Sequence, residues 1–455
     1  MSNWRVGAEH ELEITGLTHE GLGVGRVDSR VVFTPQAIPG DRVQVRIVHV
    51  KERLAYGELL SIVEKSPDRR EPSCPHAPLC GGCQLQHMDY PAQLQWKRQQ
   101  VQDALERLGG LEVEVLPTIG MDEPYHYRNK AQLPLGRQGR NVVMGFFQRG
   151  SHAIVDLSGC EIQHPLITRL ALAVKTAVRD LGIEPYDEVR HSGVLRHAVI
   201  RVSFAHSRLM LVLVTRTREL PRAQELIARL TGEIPELASV VHNINPQVTN
   251  VILGRETNVL WGDEYLLDAI GHVRYAVSPL SFFQVNPIQT KVLYDLVQER
   301  LHLSGRETVL DLYCGAGTIG LYLAARAKKV IGVETVVPAV EDARRNAKLN
   351  GITNAEFHAG RAEEVLPRLI REHAAVDAAI VDPPRKGCEA AVLEALAEAG
   401  VPALVYVSCN PATFARDLSR LTGLGYKAGP IQPVDMFPWT SHVETVSLLS
   451  RTRGR

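Results

Sequence analysis

An apolar run that leads directly into a glycine-rich loop and then a helix constrains the fold of this chain more than any other feature. The stretch is Val309-Leu-Asp-Leu-Tyr-Cys-Gly-Ala-Gly-Thr-Ile-Gly320, and a second apolar run, Val330-Ile-Gly-Val-Glu334, follows it. A strand, a tight loop and a helix in this order predict a doubly wound α/β domain with a parallel sheet. Glu334 lies about 20 residues beyond the loop, where a carboxylate can accept both ribose hydroxyls of an adenosine cofactor.

The spacing of the glycine loop indicates which adenosine cofactor it suits. The pattern is Asp311-x-x-x-Gly315-x-Gly317, and it lacks the G-x-G-x-x-G spacing of dinucleotide-binding folds. Such a loop has no pyrophosphate to surround. It therefore favours S-adenosylmethionine over a dinucleotide.

Two further apolar runs end in residues that can do chemistry at the same edge of the predicted sheet. One is followed by Asp382-Pro-Pro-Arg385, and the other, Val401 to Val407, by Ser408-Cys-Asn-Pro411 and a helical pattern. Ligands of α/β sheets bind at the carboxyl ends of the strands, and a helix start is expected to lower the pKa of a thiol. Cys409 is therefore a candidate nucleophile. The alternatives are a small buried apolar cysteine at 409 and a turn that merely ends its strand at Asp382.

The N-terminal part of the chain has a different pattern. Residues 11–63 alternate apolar and polar side chains in short runs broken by glycine and proline. This pattern predicts a small all-β barrel. The polar, proline-containing stretch of residues 64–73 is predicted to be a linker.

Cysteines cluster just after this linker. Cys74, Cys80 and Cys83 fall within ten positions, with two glycines between the last two. Glycines let the backbone wrap tightly, so three sulfurs can converge on one inorganic centre, with Cys160 as the candidate fourth ligand. Tetrahedral thiolate ligation suits zinc or an iron–sulfur cluster, and the spacing does not separate the two.

Composition excludes several classes of protein. The 455 residues are 45% hydrophobic and 22% charged, as in soluble multidomain proteins. No apolar run is long enough to span a membrane, and no secretion signal is evident, so a cytoplasmic protein without membrane contact is expected. Nothing indicates an obligate protein partner.

Charge distribution suggests where a polyanion would bind. Lys plus Arg equals Asp plus Glu at 51 each, yet two long stretches contain basic residues and no acid. Residues 128–149 carry five basic residues, and residues 190–218 carry six arginines and three histidines. These blocks predict local phosphate-binding surfaces, the alternative being ordinary solvated faces. Between the cysteines and the glycine loop the chain mixes strands and helices, and residues 254–277 are predicted to form a β meander.

These motifs together resemble the RNA uracil-C5 methyltransferases, in particular the branch with a TRAM barrel and an iron–sulfur cluster that acts on 23S ribosomal RNA. The resemblance covers essentially the whole chain. In the barrel it is carried by Gly21-Leu-Gly-Val-Gly-Arg26 and Ile38-Pro-Gly-Asp-Arg-Val43. Elsewhere it is carried by Cys80-Gly-Gly-Cys83, Ser281-Phe-Phe-Gln-Val-Asn286, Asp311-Leu-Tyr-Cys-Gly-Ala-Gly317, Asp382-Pro-Pro-Arg-Lys-Gly387, Ser408-Cys-Asn-Pro411 and His442-Val-Glu-Thr445.

The resemblance implies a role for each matching residue. Cys409 would be the nucleophile that adds to uracil C6, and Glu444 the base that later removes the C5 proton. S-adenosylmethionine would be bound by Gln284, Tyr313, Glu334 and Asp382, and a [4Fe-4S] cluster by Cys74, Cys80, Cys83 and Cys160. Thr318 and Arg361 depart from asparagines of some relatives near the cofactor and are left out of the predicted site.

The expected architecture has three parts. Residues 1–65 form an OB-like RNA-binding barrel, residues 74–275 a mixed α+β domain with the cysteines and basic blocks, and residues 276–455 a Rossmann-like methyltransferase domain. The target base would be splayed out of its RNA, with Phe146-Phe147 among the exposed aromatics near the strand. Alternatives remain: methylation of a tRNA uridine, methylation of an exocyclic nitrogen without a cysteine, and an iron–sulfur RNA-binding protein without activity. The sequence does not identify the uridine or the number of sites.

Overall fold

A computed structural model describes residues 4–372 and 376–452. Residues 1–3 of the predicted barrel, and residues 373–375 and 453–455 of the predicted methyltransferase domain, therefore lie outside the described residues. No helix in the described part of the chain is both long and apolar enough to cross a membrane.

The N-terminal strands close into a barrel, as predicted. Its strand order is β1-β2-β3-β5-β4. Alternate residues point inward, because successive side chains of a strand face opposite sides; Ile14, Val32, Val45 and Ala55 are fully enclosed. The strands are β1 (Glu9–Leu17), β2 (Gly23–Val27), β3 (Arg30–Thr34), β4 (Arg42–Val50) and β5 (Leu54–Glu64).

The stretch predicted as a linker is attached to the barrel. Arg69 donates to both carboxylate oxygens of Asp41, which is fully buried and also accepts backbone N–H groups from Ile38 and Ser66. This buried pair joins the barrel to the cysteine-rich loop that follows.

A seven-stranded mixed sheet forms the middle of the molecule, in the order β12-β11-β10-β9-β6-β7-β8. Helices α2 and α3 cover one face through a core of aliphatic side chains. The elements are β6 (Lys130–Gln138), β7 (Asn141–Phe147), β8 (Ile154–Asp156), α2 (Pro165–Asp180), β9 (Leu195–Val202), β10 (Leu209–Thr215), α3 (Ala223–Glu233), β11 (Leu237–Ile244) and β12 (Glu256–Gly262).

The predicted meander over residues 254–277 is divided between two sheets. β12 pairs with β11 in the central sheet, whereas β13 (Leu266–Ile270) and β14 (Val273–Val277) form a separate hairpin. The hairpin packs on the C-terminal core through Ile270 and Tyr275, and its Leu266 packs against the central sheet. The prediction of one meander is therefore wrong, since local alternation does not reveal which sheet a strand joins.

The C-terminal part is the predicted doubly wound α/β sheet. Strands β17-β16-β15-β18-β19 are parallel, and β22 pairs antiparallel with β19, followed by β20. The elements are α4 (Pro287–Leu301), β15 (Thr308–Leu312), α5 (Thr318–Leu323), β16 (Lys329–Glu334), α6 (Val337–Leu349), β17 (Ala355–Ala359), α7 (Ala362–Glu372), β18 (Ala378–Val381), α8 (Ala390–Glu398), β19 (Ala403–Ser408), α9 (Pro411–Gly423), β20 (Tyr426–Ala428), β21 (Gln432–Val434) and β22 (Glu444–Arg451).

One helix from the predicted central range belongs spatially to this C-terminal sheet. Helix α1 (Tyr90–Ala104), continued by a π-turn at Leu105–Gly109, packs on the same core as α8 and α9. Val115 and Ile119 then form β-bridges to Ile431 and Val434. Apolar periodicity locates a helix but does not identify the core that it covers.

Candidate active site

Five elements bring the predicted catalytic and cofactor residues to one edge of the C-terminal sheet. Parallel strands β15, β16, β18 and β19 end there, followed or terminated by Tyr313, Glu334, Asp382 and Cys409. Strand β22 runs the other way, and Thr445 lies opposite Ser408. Glu444, the first residue of β22, therefore lies at the edge of the sheet where Cys409 follows β19.

The glycine loop and Glu334 are joined directly. The Glu334 carboxylate accepts the backbone N–H of Gly315 at 3.1 Å and that of Val336 at 2.8 Å, and it stays half-buried. Gly317 has a φ of 74°, and a Cβ there would lie 2.9 Å from the Phe357 ring. A larger residue at 317 would clash with that ring in a conformation that side chains disfavour.

One buried polar atom of this loop fits a polar ligand. Asp311 is 1% exposed; its Oδ2 accepts the Gly320 N–H at 2.8 Å, while Oδ1 has no hydrogen-bond partner in the described chain. Burial, with the charges of Asp382 and Glu334, raises the pKa of Asp311 to about 7. Because buried polar groups are normally paired, Oδ1 fits a bound S-adenosylmethionine. Tyr313, with a φ of 64°, has its hydroxyl beside the Cys388 thiol.

Gln284 lies on a loop that the central sheet fixes through backbone contacts. Asn129 donates its side-chain amide to the Gln284 carbonyl at 3.0 Å, and its backbone N–H to Val285 O at 2.8 Å. The neighbouring Asn286 donates to Met436 O at 3.0 Å. The structure thus places Gln284 between the central sheet and the segment that leads to Glu444.

Asp382 and Arg385 lie close enough to Cys409 and Glu444 for their charges to shift the pKa of both groups. Burial raises the pKa of Asp382 to about 7. Burial, and then the charge of Asp382, raises the pKa of Glu444 well above its usual range, while Arg385 lowers it.

The predicted lowering of the Cys409 pKa is wrong. Burial raises the pKa of this thiol to about 11, with further raising by Glu444 and Asp382 and lowering by Arg385. Cys409 precedes the N-cap residue Asn410, so it lies ahead of the first turn, where the effect of the helix fades. Burial beside two acids outweighs that effect.

Alkylation of Cys409 in the RNA-free protein should therefore depend steeply on pH. Well below a pKa of about 11, the thiolate fraction rises about tenfold per pH unit, so labelling by iodoacetamide should do the same between about pH 7 and pH 9. Mass spectrometry of the peptide that contains Cys409 measures this rate. Arg385→Ala should slow labelling further, because a cation that lowers the thiol pKa is lost, and a rate that levels off within this range would contradict the assignment.

His442 and Arg385 are functional candidates that the predicted site omitted. Burial, with the charge of Arg385, lowers the pKa of His442 to about 4, so the ring is neutral and accepts from the Arg385 guanidinium at 3.2 Å. Both residues are within motifs that carry the resemblance, as is Asp311, so the sequence did contain the signal.

Cys409 opens into a cavity of about 790 Å³ at the junction of the three parts of the molecule. The C-terminal sheet contributes Arg385 and the residues around Cys409, and the central sheet contributes the turn after β7. The barrel also contributes residues to this cavity. No sequence pattern predicts that contribution. The lining residues are His19, Glu20, Leu22, Tyr56, Gln84, Gln100, Arg149, Gly150, Arg385, Cys409, Asn410, Pro411, Ser441, His442 and Val443.

The cysteines predicted to ligate a metal centre share a second cavity, of about 290 Å³. Cys74, Cys80, Cys83 and Cys160 all line it and are all half-buried. Burial raises the pKa of all four thiols, and the charges of the other three raise that of Cys83 further. Across residues 4–372 and 376–452, no three His, Cys, Asp or Glu side chains are arranged to bind a single metal ion.

The walls of the cysteine cavity fit an occupant that forms polar contacts. Gln163 is 2% exposed, lines the cavity, and both atoms of its amide lack a partner among the described residues. The Gly81 N–H donates to Phe147 O at 3.0 Å, and a Cβ at Gly81 would lie 2.9 Å from that oxygen. The glycine therefore permits the close wrap that the sequence predicted.

Part of the second basic block is enclosed and does not contribute to a phosphate-binding surface. Arg196 and Arg201 are 4% and 3% exposed and donate to backbone carbonyls, including Asn245 O and Ser281 O. These two arginines join segments within the protein. Arg190 and Arg218 have side chains that are 81% exposed, so phosphate binding by the rest of the block stays a prediction. Acid-free spacing in the sequence does not distinguish structural arginines from solvated ones.

The first basic block is also largely occupied by structural contacts. Arg137 forms a bidentate pair with Glu184. Burial, together with the charges of Arg201 and Arg128, lowers the pKa of Lys130 to about 7. Arg149 is the member that lines the Cys409 cavity. Phe146 and Phe147, predicted to be exposed, are half-buried beside the cysteine cavity.

Comparison with known families places two matches on the chain. The profile of the tRNA (uracil-5-)-methyltransferase family matches residues 89–452. The TRAM domain profile matches residues 3–60, which include the strands of the barrel as far as the middle of β5.

Relatives with the same overall length are similar over nearly the whole chain. An uncharacterized RNA methyltransferase of Halalkalibacterium halodurans is 50% identical over 440 residues, covering 96% of each chain. One from Clostridium tetani is 47% identical, covering 97% of this chain and 96% of its own. The crystal structure of the Pyrococcus abyssi tRNA (uracil-54, C5)-methyltransferase in complex with S-adenosyl-L-homocysteine superposes with a TM-score of 0.78. It is 31% identical and covers 99% of this chain and 100% of that chain.

Proposed function

The chain belongs to the tRNA (uracil-5-)-methyltransferase family and is an S-adenosylmethionine-dependent RNA (uracil-C5) methyltransferase; from that premise we propose its target and its mechanism. On the resemblance of its motifs to the branch that acts on 23S ribosomal RNA, the proposed target is a uridine of that RNA, converted to 5-methyluridine through a covalent bond between Cys409 and uracil C6. The observation that carries the mechanism is that Cys409 and Arg385 line one large cavity, with Glu444 and Asp382 near enough to raise the pKa of the Cys409 thiol.

The need for a nucleophile follows from the chemistry of uracil. C5 is a weak nucleophile, and addition of the Cys409 thiolate to C6 breaks the C5=C6 double bond and moves its electron pair toward C5 and O4. C5 then bonds to the methyl group. S-adenosylmethionine supplies that group as the electrophilic methyl of a sulfonium ion.

Completion of the reaction needs a base. The methylated adduct still carries the original hydrogen on C5, and the Glu444 carboxylate removes it as a proton. The C5=C6 double bond reforms, and the Cys409 sulfur leaves C6 as a thiolate. The charge of Arg385 lowers the pKa of both Cys409 and Glu444, so it favours the ionised form that each step requires.

The cofactor is assigned to the glycine-loop side of the site. Glu334, fixed by the loop N–H of Gly315, is positioned to accept the ribose hydroxyls. Tyr313, Asp382 and Gln284 complete the proposed contacts. Asp311, whose Oδ1 is unpaired in the described chain, joins them.

The four-cysteine cavity is proposed to contain a [4Fe-4S] cluster. Cys74, Cys80, Cys83 and Cys160 are the ligands, and the unpaired amide of Gln163 lies at the same cavity. Bound by these four sulfurs, such a cluster would cross-link the loop to Cys160. Reduced thiols of this kind fit a cytoplasmic enzyme.

Protein purified without oxygen should contain about four irons per chain and absorb as an iron–sulfur protein. Cys74→Ser should lower the iron content. Cys388→Ser is the matched control, because Cys388 is buried outside this cavity, and it should retain the iron. Metal analysis that finds one zinc per chain and no iron would overturn the assignment.

The three parts of the chain are proposed to divide the work. Residues 1–65 and 74–275 contact the RNA, and residues 276–455 bind the cofactor and perform the chemistry. The match of residues 3–60 to the TRAM domain supports RNA contact by the barrel.

A tRNA uridine is the second candidate target. It is favoured by the similarity to a tRNA (uracil-54, C5)-methyltransferase along the full chain. Incubation with tritiated S-adenosylmethionine and transcripts of 23S rRNA or of tRNA, followed by mapping of 5-methyluridine, separates the two. Label only in tRNA would shift the assignment to tRNA, and label in neither would overturn the proposed function.

A further inference from the structure

Three aromatic rings form a row on the outer surface of the barrel. Tyr56 of β5 lies opposite Phe33 of β3 and His49 of β4 in the strand register. The ring centroids are 5.6 Å apart for Phe33 and Tyr56, and 6.0 Å apart for His49 and Tyr56. Ala55 and Gly57, on either side of Tyr56, are buried, so the Tyr56 ring points outward.

This aromatic row (Phe33, Tyr56 and His49) reaches the catalytic cavity. Tyr56 lines the same 790 Å³ space as Cys409 and His442. The barrel is fixed in that position by a close contact at Gly21, where a Cβ would lie 3.3 Å from both Gln84 and Leu85. Tyr56 is therefore a built part of the cavity wall.

We propose that Tyr56 stacks against an unpaired RNA base next to the target uridine, and that the aromatic row continues this stacking surface along the strand. The proposal rests on the RNA methylation proposed above. It assigns the barrel a contact with bases, in addition to any contact with phosphates.

The physical reason lies in the exposure of the target base. When a uridine leaves its stack to reach Cys409, its neighbour loses one stacking partner. An aromatic ring beside the cavity replaces that partner, and stacking on protein rings tolerates any base because every base has a π face.

The size and charge of the cavity agree with this occupant. A volume of about 790 Å³ is near the upper end of the 300–1,000 Å³ that small-molecule sites occupy, so it has room for more than one pyrimidine. The ammonium of exposed Lys51 lies 5.8 Å from the Tyr56 ring centroid, and Arg149 lines the cavity. These cations can meet the phosphates on either side of a stacked base.

The test measures binding and single-turnover methylation with the transcript that the mapping experiment identifies as substrate. Tyr56→Ala should weaken RNA binding roughly 5- to 150-fold, the range found when one base-stacking ring is removed. Tyr56→Phe should stay within about twofold, because the ring is kept. Val63→Ala, an exposed apolar residue at the far end of β5, is the matched control and should bind normally.

A substrate with an abasic site beside the target uridine provides the decisive comparison. Two such substrates are compared, one abasic on the 5′ side of the target and one abasic on the 3′ side. One of the two should bind wild-type protein and Tyr56→Ala equally, since neither protein can stack a base at that position. If Tyr56→Ala loses the same factor with the intact and both abasic substrates, Tyr56 does not stack on a flanking base. An unchanged affinity for S-adenosylmethionine shows that the variant is folded, and a wild-type enzyme that methylates neither RNA points to failure of the proposed function instead.

Discussion

Glu444→Gln should convert the protein into one that methylates a single uridine and then remains covalently attached to the RNA. Once the Cys409 thiol has lost its proton to water, addition to C6 and methyl transfer do not require Glu444, whereas release of the adduct requires removal of the C5 proton. Glutamine keeps the size of the buried side chain but cannot accept that proton. Steady-state turnover should fall by about 10²- to 10⁴-fold, the usual contribution of a general base, while a protein–RNA band that survives denaturing electrophoresis accumulates.

Three control variants make this result specific. Cys409→Ala should give no covalent band, and neither should the double variant with Glu444→Gln, because the bond to C6 cannot form. Glu389→Gln, at an exposed carboxylate that pairs with Lys386, should turn over normally. A folded Glu444→Gln protein that turns over at the normal rate would remove Glu444 from the mechanism.

The sequence predicted which residues reach this edge of the C-terminal sheet, because the rules for parallel sheets are local. A residue that follows a buried strand, such as Asp382 or Cys409, lies at the carboxyl edge of the sheet whatever the rest of the chain does. The position of Glu444 does not follow from this rule, because Glu444 is the first residue of an antiparallel strand. Only the resemblance suggested its role.

Properties that depend on the tertiary environment were not predictable in the same way. The pKa of Cys409 is set by burial and by two acids from other strands, which outweigh the nearby helix. Likewise, Arg196 and Arg201 lie in an acid-free stretch, yet the fold encloses them. The entry of Tyr56 into the catalytic cavity depends on how the barrel packs against the other two sheets, and no pattern within the barrel encodes that.

Lys97→Met should destabilise the protein by about 3–5 kcal/mol, the range for breaking a buried ion pair by removal of one partner. Lys97, on α1, is fully enclosed, and its ammonium donates to Asp435 at 2.6 Å and to the Phe437 carbonyl at 3.2 Å. Without Lys97, a fully buried carboxylate has lost its cation. Urea unfolding followed by tryptophan fluorescence measures the loss, since Trp439 lies in the segment that this pair fixes.

The large loss of stability should be specific to the buried ion pair, and a loss of methylation should accompany it. Lys291→Met removes a lysine with the same 2.6 Å contact to an aspartate, but with side chains 53% and 37% exposed; it should cost less than about 1 kcal/mol. Combining Lys97→Met with Asp435→Asn should be less damaging than the sum of the two single changes, because no buried charge then lacks its partner.

Since the segment after Asp435 carries His442 into the catalytic cavity, Lys97→Met should also reduce methylation at temperatures where the protein remains folded. If Lys97→Met were no more destabilising than Lys291→Met, the buried pair would not be what fixes this segment to α1.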